Sequence, residues 1–141
     1  ALDVGDIYME SHQTAALLRI SDRYPDLKLV ICHLLAPARE MHDAWVAELK
    51  MLKRANVWFD IAAMPKIMAP DEYPYPVTCE YLAEAKDILG SDRLLWGTDA
   101  PFAATQDTYE HLTDYLAQSD LFTEEELQNI YYNNAYEVYF K

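Results

Sequence analysis

Three short apolar runs recur along the chain, and a segment with helical periodicity follows each of them. The runs are LKLVIC (27–32), VWFDIA (57–62) and LLWG (94–97), and ALDVG (1–5) is a weaker candidate. LKLVIC is apolar on both faces after its lysine, which is typical of a strand covered on both sides. Strands that alternate with helices favour right-handed crossovers and a parallel sheet. We therefore predict the α/β fold class, with parallel βα units in a single domain over residues 1–141.

The segments between these runs carry helix signals of different kinds. Gly90 is expected to end one helix in the left-handed conformation. The spacing in TEEE (123–126) and NAYE (134–137) is that of a capping box, which predicts two separate helix starts. The stretch 64–76 contains four prolines and is predicted to be a loop. Helices are predicted at 12–24, 39–55, 77–89, 106–118, 123–131 and 134–140.

The charge balance and the cysteine content limit the partners of this chain. Lys and Arg number 11 against 24 Asp and Glu, a net charge of −13, which disfavours nucleic acid. No apolar run approaches the roughly 20 residues that span a bilayer, so no membrane partner is expected. The two cysteines, Cys32 and Cys79, cannot build a disulfide framework, and a reducing cytoplasm fits them best.

Polar residues lie at or near the ends of the predicted strands. His33 follows LKLVIC and Asp99 follows LLWGT, while Asp60 lies late in VWFDIA and Asp3 lies in the weak first run. The carboxyl ends of parallel strands meet at one edge, where ligands bind. An imidazole and a carboxylate there can hold Zn²⁺ or Mn²⁺ or transfer a proton. The residues alone leave a second interpretation open, a core histidine and a helix-capping aspartate.

Further candidates for substrate binding lie beside this predicted edge. Arg39 opens the helix after His33, and Lys66 and Tyr73 belong to the proline-rich stretch after VWFDIA. Positive charge there would suit a carboxylate substrate. A surface ion pair for Arg39 and a rigid connecting loop for 64–76 are the alternatives.

The sequence resembles the amidohydrolase-2 (amidohydrolase-related) family of metal-dependent TIM barrels. PDLKLVICH is similar to the family's strand-six segment, GSDRLLWGTDAPF to its strand-eight segment, and NIYYNNAYEVYF to its closing helix. The resemblance implies the second half of a TIM (β/α)8 barrel, about strands five to eight. It also implies that Asp99 is a metal ligand and possibly a base, and that His33 polarises the substrate or a metal-bound water.

Two features depart from the family pattern. The chain has no His-x-His pair, which the family carries on its first strand, and Asp3 stands where strand five often carries a histidine ligand. We expect Asp3 to be a metal ligand in its place. Both departures fit a chain that corresponds to four of the eight units in a barrel of about 250 residues. Another chain, or a second copy, is expected to cover the open sheet edges.

The resemblance implies a divalent metal, foremost Zn and otherwise Mn, and a small-molecule substrate. The reaction would be hydrolysis of a C–N or C–O bond, or non-oxidative decarboxylation of a small carboxylated ring, and the sequence leaves both open. The alternative is a non-catalytic α/β half-barrel module that acts in assembly or regulation.

Overall fold

A computed structural model describes residues 14–141, and its strands form one parallel sheet. The strands are β1 (Leu29–Ile31), β2 (Val57–Asp60) and β3 (Leu94–Leu95), in the order β1-β2-β3. Ile31 lies opposite Phe59, and Phe59 lies opposite Leu94. The α/β class and the parallel sheet are therefore confirmed. The candidate strand at 1–5, which contains Asp3, lies outside the described residues.

Helices follow each strand, and their bounds are close to those predicted from periodicity. They are α1 (Thr14–Arg23), α2 (His42–Leu52), α3 (Met64–Ile67), α4 (Pro76–Leu89), α5 (Tyr109–Gln118), α6 (Glu124–Gln128) and α7 (Asn134–Phe140). The prediction of an uninterrupted loop at 64–76 was wrong, because α3 occupies its start. Pro65 lies in the first turn of α3, where a missing N–H removes no helical hydrogen bond. None of the helices within 14–141 is long and apolar enough to span a membrane.

Both faces of the sheet are buried, as the doubly apolar strands predict. Side chains alternate between the faces of a strand. Ile31 and Phe59 point into the main core, which includes residues of α2 and α4. Val30 and Trp58 point to the other face, where Val138 of α7 packs against them. The strand ends are therefore packed between two layers of buried side chains, which fixes the points at which the following loops begin.

The C-terminal helices run into one another instead of starting separately. The capping box of α6 is confirmed: Glu126 N–H donates to Thr123 Oγ1 (3.2 Å), and Thr123 N–H donates to Glu126 Oε2 (2.9 Å). The second box was wrong, because a π-helical turn over 129–133 joins α6 to α7. Asn134 has helical dihedrals, and its amide donates to the carbonyl oxygens of Ser91 (2.9 Å) and Leu94 (2.8 Å). Its side chain therefore anchors α7 to the start of β3.

Gly90 follows α4, as predicted, but in a different conformation. Its φ is 92°, a value that favours glycine, whereas its ψ of 150° is extended and not that of a left-handed cap. A Cβ at this position would lie 2.6 Å from Asp92 Oδ1. The glycine signal was thus correct, and the expected left-handed cap was wrong.

Candidate functional site

The chain leaves β1 through a left-handed turn. His33, Leu34, Leu35 and Ala36 have φ values of 58°, 51°, 65° and 44°. This conformation costs roughly 1–2 kcal/mol for each residue with a Cβ. The turn persists because Leu34 and Leu35 are fully buried, and because Trp45 Nε1 donates to the Leu34 carbonyl oxygen at 2.9 Å. Backbone strain of this kind is concentrated at functional sites.

The His33 ring is held by one hydrogen bond that defines its tautomer. Nδ1 lies 3.1 Å from the carbonyl oxygen of Ala62. A carbonyl oxygen can only accept, so Nδ1 carries a proton, and in the neutral form of the ring the lone pair is on Nε2. The side chain is 21% exposed, and no residue within 14–141 bonds to Nε2. This nitrogen is therefore available to accept a proton or bind a metal ion.

Asp60, the last residue of β2, ties the ends of β1 and β2 together. Its Oδ1 accepts the N–H of His33 at 2.8 Å and the N–H of Ala62 at 3.2 Å. The same oxygen lies 3.9 Å from His33 Nδ1. Sequence reasoning placed Asp60 at this edge and assigned it no role. Its position at the end of an apolar run was the only signal available.

Asp99 lies beyond the carboxyl end of β3, on the same edge of the sheet as His33. Gly97 packs so closely against the segment after β2 that a Cβ added to it would lie 3.1 Å from Ala62 Cβ. Asp99 itself is exposed and left-handed (φ 58°), and its carbonyl oxygen accepts the N–H of Ala103 at 3.1 Å. Ala62 thus contacts both the His33 ring and the segment that leads to Asp99. The two strands concerned are not neighbours, since β2 lies between them.

The two basic candidates connect loops at this edge. The exposed Arg39 donates from Nη2 to the carbonyl oxygens of Met68 and Pro70, the latter at 3.1 Å. Lys66, on α3, donates to Thr105 Oγ1, and its Nζ lies 4.4 Å from the centre of the Phe102 ring. Lys66 therefore contacts the segment that follows Asp99. Substrate binding by either side chain stays a prediction.

Tyr73 lies against α5, where it contacts His111 and Asp114. Its ring stacks on His111 with centres 4.0 Å apart, and its hydroxyl donates to Asp114 Oδ2 at 3.4 Å. Burial, followed by the charge of Asp114, raises the pKa of the Tyr73 hydroxyl, which therefore stays protonated. The structure thus groups Tyr73 with the first turns of α5, and its role towards substrate stays a prediction.

The described part of the chain offers individual metal donors without a complete set. No cluster of three or more His, Cys, Asp or Glu side chains within 14–141 could hold an ion. Zinc sites use three or four protein ligands. The exposed Asp99 carboxylate and the His33 Nε2 lone pair are chemically suitable donors. They fit a metal centre whose other ligands come from outside the described residues.

Comparison with known proteins agrees with the sequence resemblance. The family model described as Amidohydrolase (amidohydrolase-2) matches residues 4–141. L-fucono-1,5-lactonase of Burkholderia ambifaria is 27% identical over 106 residues, which are 68% of this chain and 34% of the lactonase. An amidohydrolase from Burkholderia multivorans with bound Zn superposes with a TM-score of 0.78 at 17% identity, over 95% of this chain and 51% of that protein.

A decarboxylase shares the same fold. Dihydroxybenzoic acid decarboxylase from Polaromonas sp. JS666, solved with manganese and the inhibitor 2-nitroresorcinol, superposes with a TM-score of 0.56 at 18% identity. The match covers 91% of this chain and 40% of the decarboxylase. The chain therefore spans between a third and about half of the length of these proteins. With the family model matched over almost its whole length, the chain belongs to the amidohydrolase-2 family.

Proposed function

We propose that this chain is the carboxyl-terminal half, strands five to eight, of a metal-dependent amidohydrolase barrel. The proposal is supported by the parallel strands in sequential order and by coverage of about half of the Burkholderia multivorans structure. The reaction would be hydrolysis of a C–O or C–N bond, or non-oxidative decarboxylation. The observation that carries the proposal is the His33 ring at the carboxyl edge of the sheet, whose Nδ1 bonds to Ala62 and whose Nε2 has no hydrogen-bond partner within residues 14–141.

His33 and Asp99 have different tasks in this proposal. His33 accepts or donates a proton at Nε2, or polarises a substrate carbonyl once it is protonated, while Nδ1–H stays on Ala62. Asp99 contributes a carboxylate to the metal site, and Asp3 would contribute a second one. When bound, a divalent ion such as Zn²⁺ or Mn²⁺ supplies Lewis-acid polarisation of the substrate.

The substrate would be a small carboxylated or cyclic molecule, as the names of the relatives indicate for those proteins. Arg39 uses only Nη2 in its bonds to Met68 and Pro70, so Nε and Nη1 can donate to a substrate carboxylate. Lys66 adds positive charge beside the Asp99 segment in a chain of net charge −13. Tyr73 would contact the outer part of the substrate.

The site would be completed by the first half of the barrel, supplied by another chain or by a second copy. β1 and β3 are the edge strands of the described sheet. Tyr132, Tyr136 and Phe140 form a stacked and exposed ladder on the last helical segment, with ring centres 5.9 and 5.7 Å apart. Exposed apolar rings in a contiguous row are typical of an interaction surface.

Metal analysis tests this function. The wild-type chain and the Asp99→Asn variant are loaded with Zn²⁺ or Mn²⁺, dialysed and measured by mass spectrometry, with and without the first half of a family barrel. We expect bound metal in the wild type and its loss in Asp99→Asn. Asp92→Asn, an exposed carboxylate before β3, is the matched control and should keep the metal. Well-folded, completed wild-type protein without metal would contradict the proposal.

The second candidate is a non-catalytic half-barrel module in assembly or regulation. It is favoured by the exposed ladder of Tyr132, Tyr136 and Phe140, which is typical of an interaction surface. In that case Asp99→Asn would leave both the assembly and the stability of the chain unchanged.

A further inference from the structure

Asp60 connects the two backbone segments that hold the His33 ring. One oxygen, Oδ1, accepts the N–H of His33 at 2.8 Å and the N–H of Ala62 at 3.2 Å. His33 contributes the ring, and Ala62 contributes the carbonyl oxygen to which Nδ1–H donates at 3.1 Å. The donor and the acceptor of that ring bond are therefore both fixed through the same carboxylate oxygen.

The turn that carries His33 cannot maintain its conformation by local preference. Its four residues are all left-handed and none is glycine. The N–H of His33, at the entrance of this turn, has Asp60 as its partner. Without this acceptor, the His33 N–H would be left unpaired at a half-buried position, and the ring would be free to move from Ala62.

We propose that Asp60 is a positioning residue that holds His33 in the Nδ1–H tautomer and keeps Nε2 free for chemistry. This role rests on the proposed function of His33. Asp60 acts through two backbone N–H groups, and its Oδ1 lies 3.9 Å from His33 Nδ1. An imidazole in water prefers the opposite tautomer, with the proton on Nε2, so loss of the Asp60 acceptor should release that preference.

Nuclear magnetic resonance of the chain labelled with ¹⁵N-histidine tests the proposal. Long-range ¹H–¹⁵N correlations above neutral pH distinguish the two tautomers, and His33→Gln assigns the signals. We expect the Nδ1–H form in the wild type and a mixture dominated by Nε2–H in Asp60→Ala. Asp60→Asn keeps an acceptor oxygen at the same distance along the side chain, and it should restore the Nδ1–H form.

Asp43→Ala provides the matched control, because it removes a fully exposed carboxylate that lies 3.5 Å from Nδ1 of a different residue, His42. It should leave the His33 signals unchanged. Should Asp60→Ala fail to fold, Asp60→Glu displaces the acceptor by one methylene and should also give mixed tautomers.

The proposal is overturned if folded Asp60→Ala or Asp60→Glu retains pure Nδ1–H, or if Asp60→Asn loses it. An Nε2–H form in the wild type would overturn it as well. The measurement needs neither metal nor substrate. A wild type with the Nδ1–H form that binds no metal would therefore contradict the proposed function alone.

Discussion

Replacement of Gly97 by alanine tests the contact that joins the ends of β2 and β3. The new Cβ would lie 3.1 Å from Ala62 Cβ, whereas carbon atoms in favourable contact are about 3.5–4.0 Å apart. Ala62 is 7% exposed, and it is held on both sides, by its N–H on Asp60 and by its carbonyl oxygen on His33. It can move by the required few tenths of an ångström only if one of these bonds lengthens.

The size of the effect follows from two opposing contributions. Overpacking of a well-filled site costs about 1–3 kcal/mol. A Gly-to-Ala change recovers roughly 0.4–1 kcal/mol, because it lowers the conformational entropy of the unfolded chain. We therefore expect Gly97→Ala to lower the free energy of unfolding by about 1 kcal/mol. Ala62→Gly removes the opposing methyl group, so the double variant should show a favourable coupling of about 1 kcal/mol.

Urea unfolding followed by tryptophan fluorescence measures all four members of this cycle. The two single variants serve as controls for each other, since each leaves one side of the contact intact. A coupling free energy below about 0.3 kcal/mol, the usual error of additivity, would refute the reasoning. So would an increase in stability in Gly97→Ala alone, which would show that β2 and β3 separate freely at this edge.

Three further predictions concern other parts of the molecule. Trp45→Phe leaves the buried Leu34 carbonyl oxygen without its donor and opens a void beside it. The free energy of unfolding should therefore fall by roughly 2–4 kcal/mol, as measured by urea titration followed by circular dichroism. A loss below about 1 kcal/mol would contradict this expectation. Hydrogen bonds from the Lys86 ammonium and then from the Thr123 backbone lower the pKa of Glu126 to about 2. The contribution of the ionised Glu126 to the stability of the fold is therefore complete above its ordinary pKa of 4.5 and is lost as the pH falls through 2. Glu126→Gln should therefore lower stability by about 1 kcal/mol at pH 7 and by less at pH 3, and an equal loss at both pH values would contradict the assignment. Burial, with a smaller contribution from the Asp71 carboxylate, raises the pKa of the Cys79 thiol to about 11. Iodoacetamide at pH 8 should therefore alkylate Cys79 at least about 100-fold more slowly than it alkylates glutathione, as measured by peptide mass spectrometry. Equal alkylation rates would show that the thiol is not buried.

Much of the fold could be predicted because its signals are local. The apolar runs around Ile31 and Phe59 identify strands, and Thr123 with Glu126 identifies the start of a helix, since each pattern depends on residues within a few positions of one another. The same local logic was wrong for Asn134. Its side chain bonds to Ser91 and Leu94, more than 39 positions earlier in the chain, and this contact is not visible in a window of sequence.

The candidate site divides in the same way. His33 and Asp99 could be placed at one edge of the sheet because each follows an apolar run, and the carboxyl ends of parallel strands meet at one edge. The side-chain contacts of the other candidate residues could not be predicted from the sequence. Lys66 meets the segment after Asp99, and Tyr73 meets α5, through contacts 39 and 41 residues apart in sequence. The direction of a long side chain depends on the partners that the fold brings to it.

The sequence alone determined the alternation of strands and helices, the parallel sheet and the edge at which His33 would lie. These properties follow from the periodicity of apolar residues, which each segment carries by itself. Only the tertiary structure decided the left-handed turn and the tautomer of His33. The residues to which His33 bonds, Asp60 and Ala62, lie 27 and 29 residues away along the chain. Hydrogen bonds across that separation form only after β1 and β2 have paired, so no local preference could specify them.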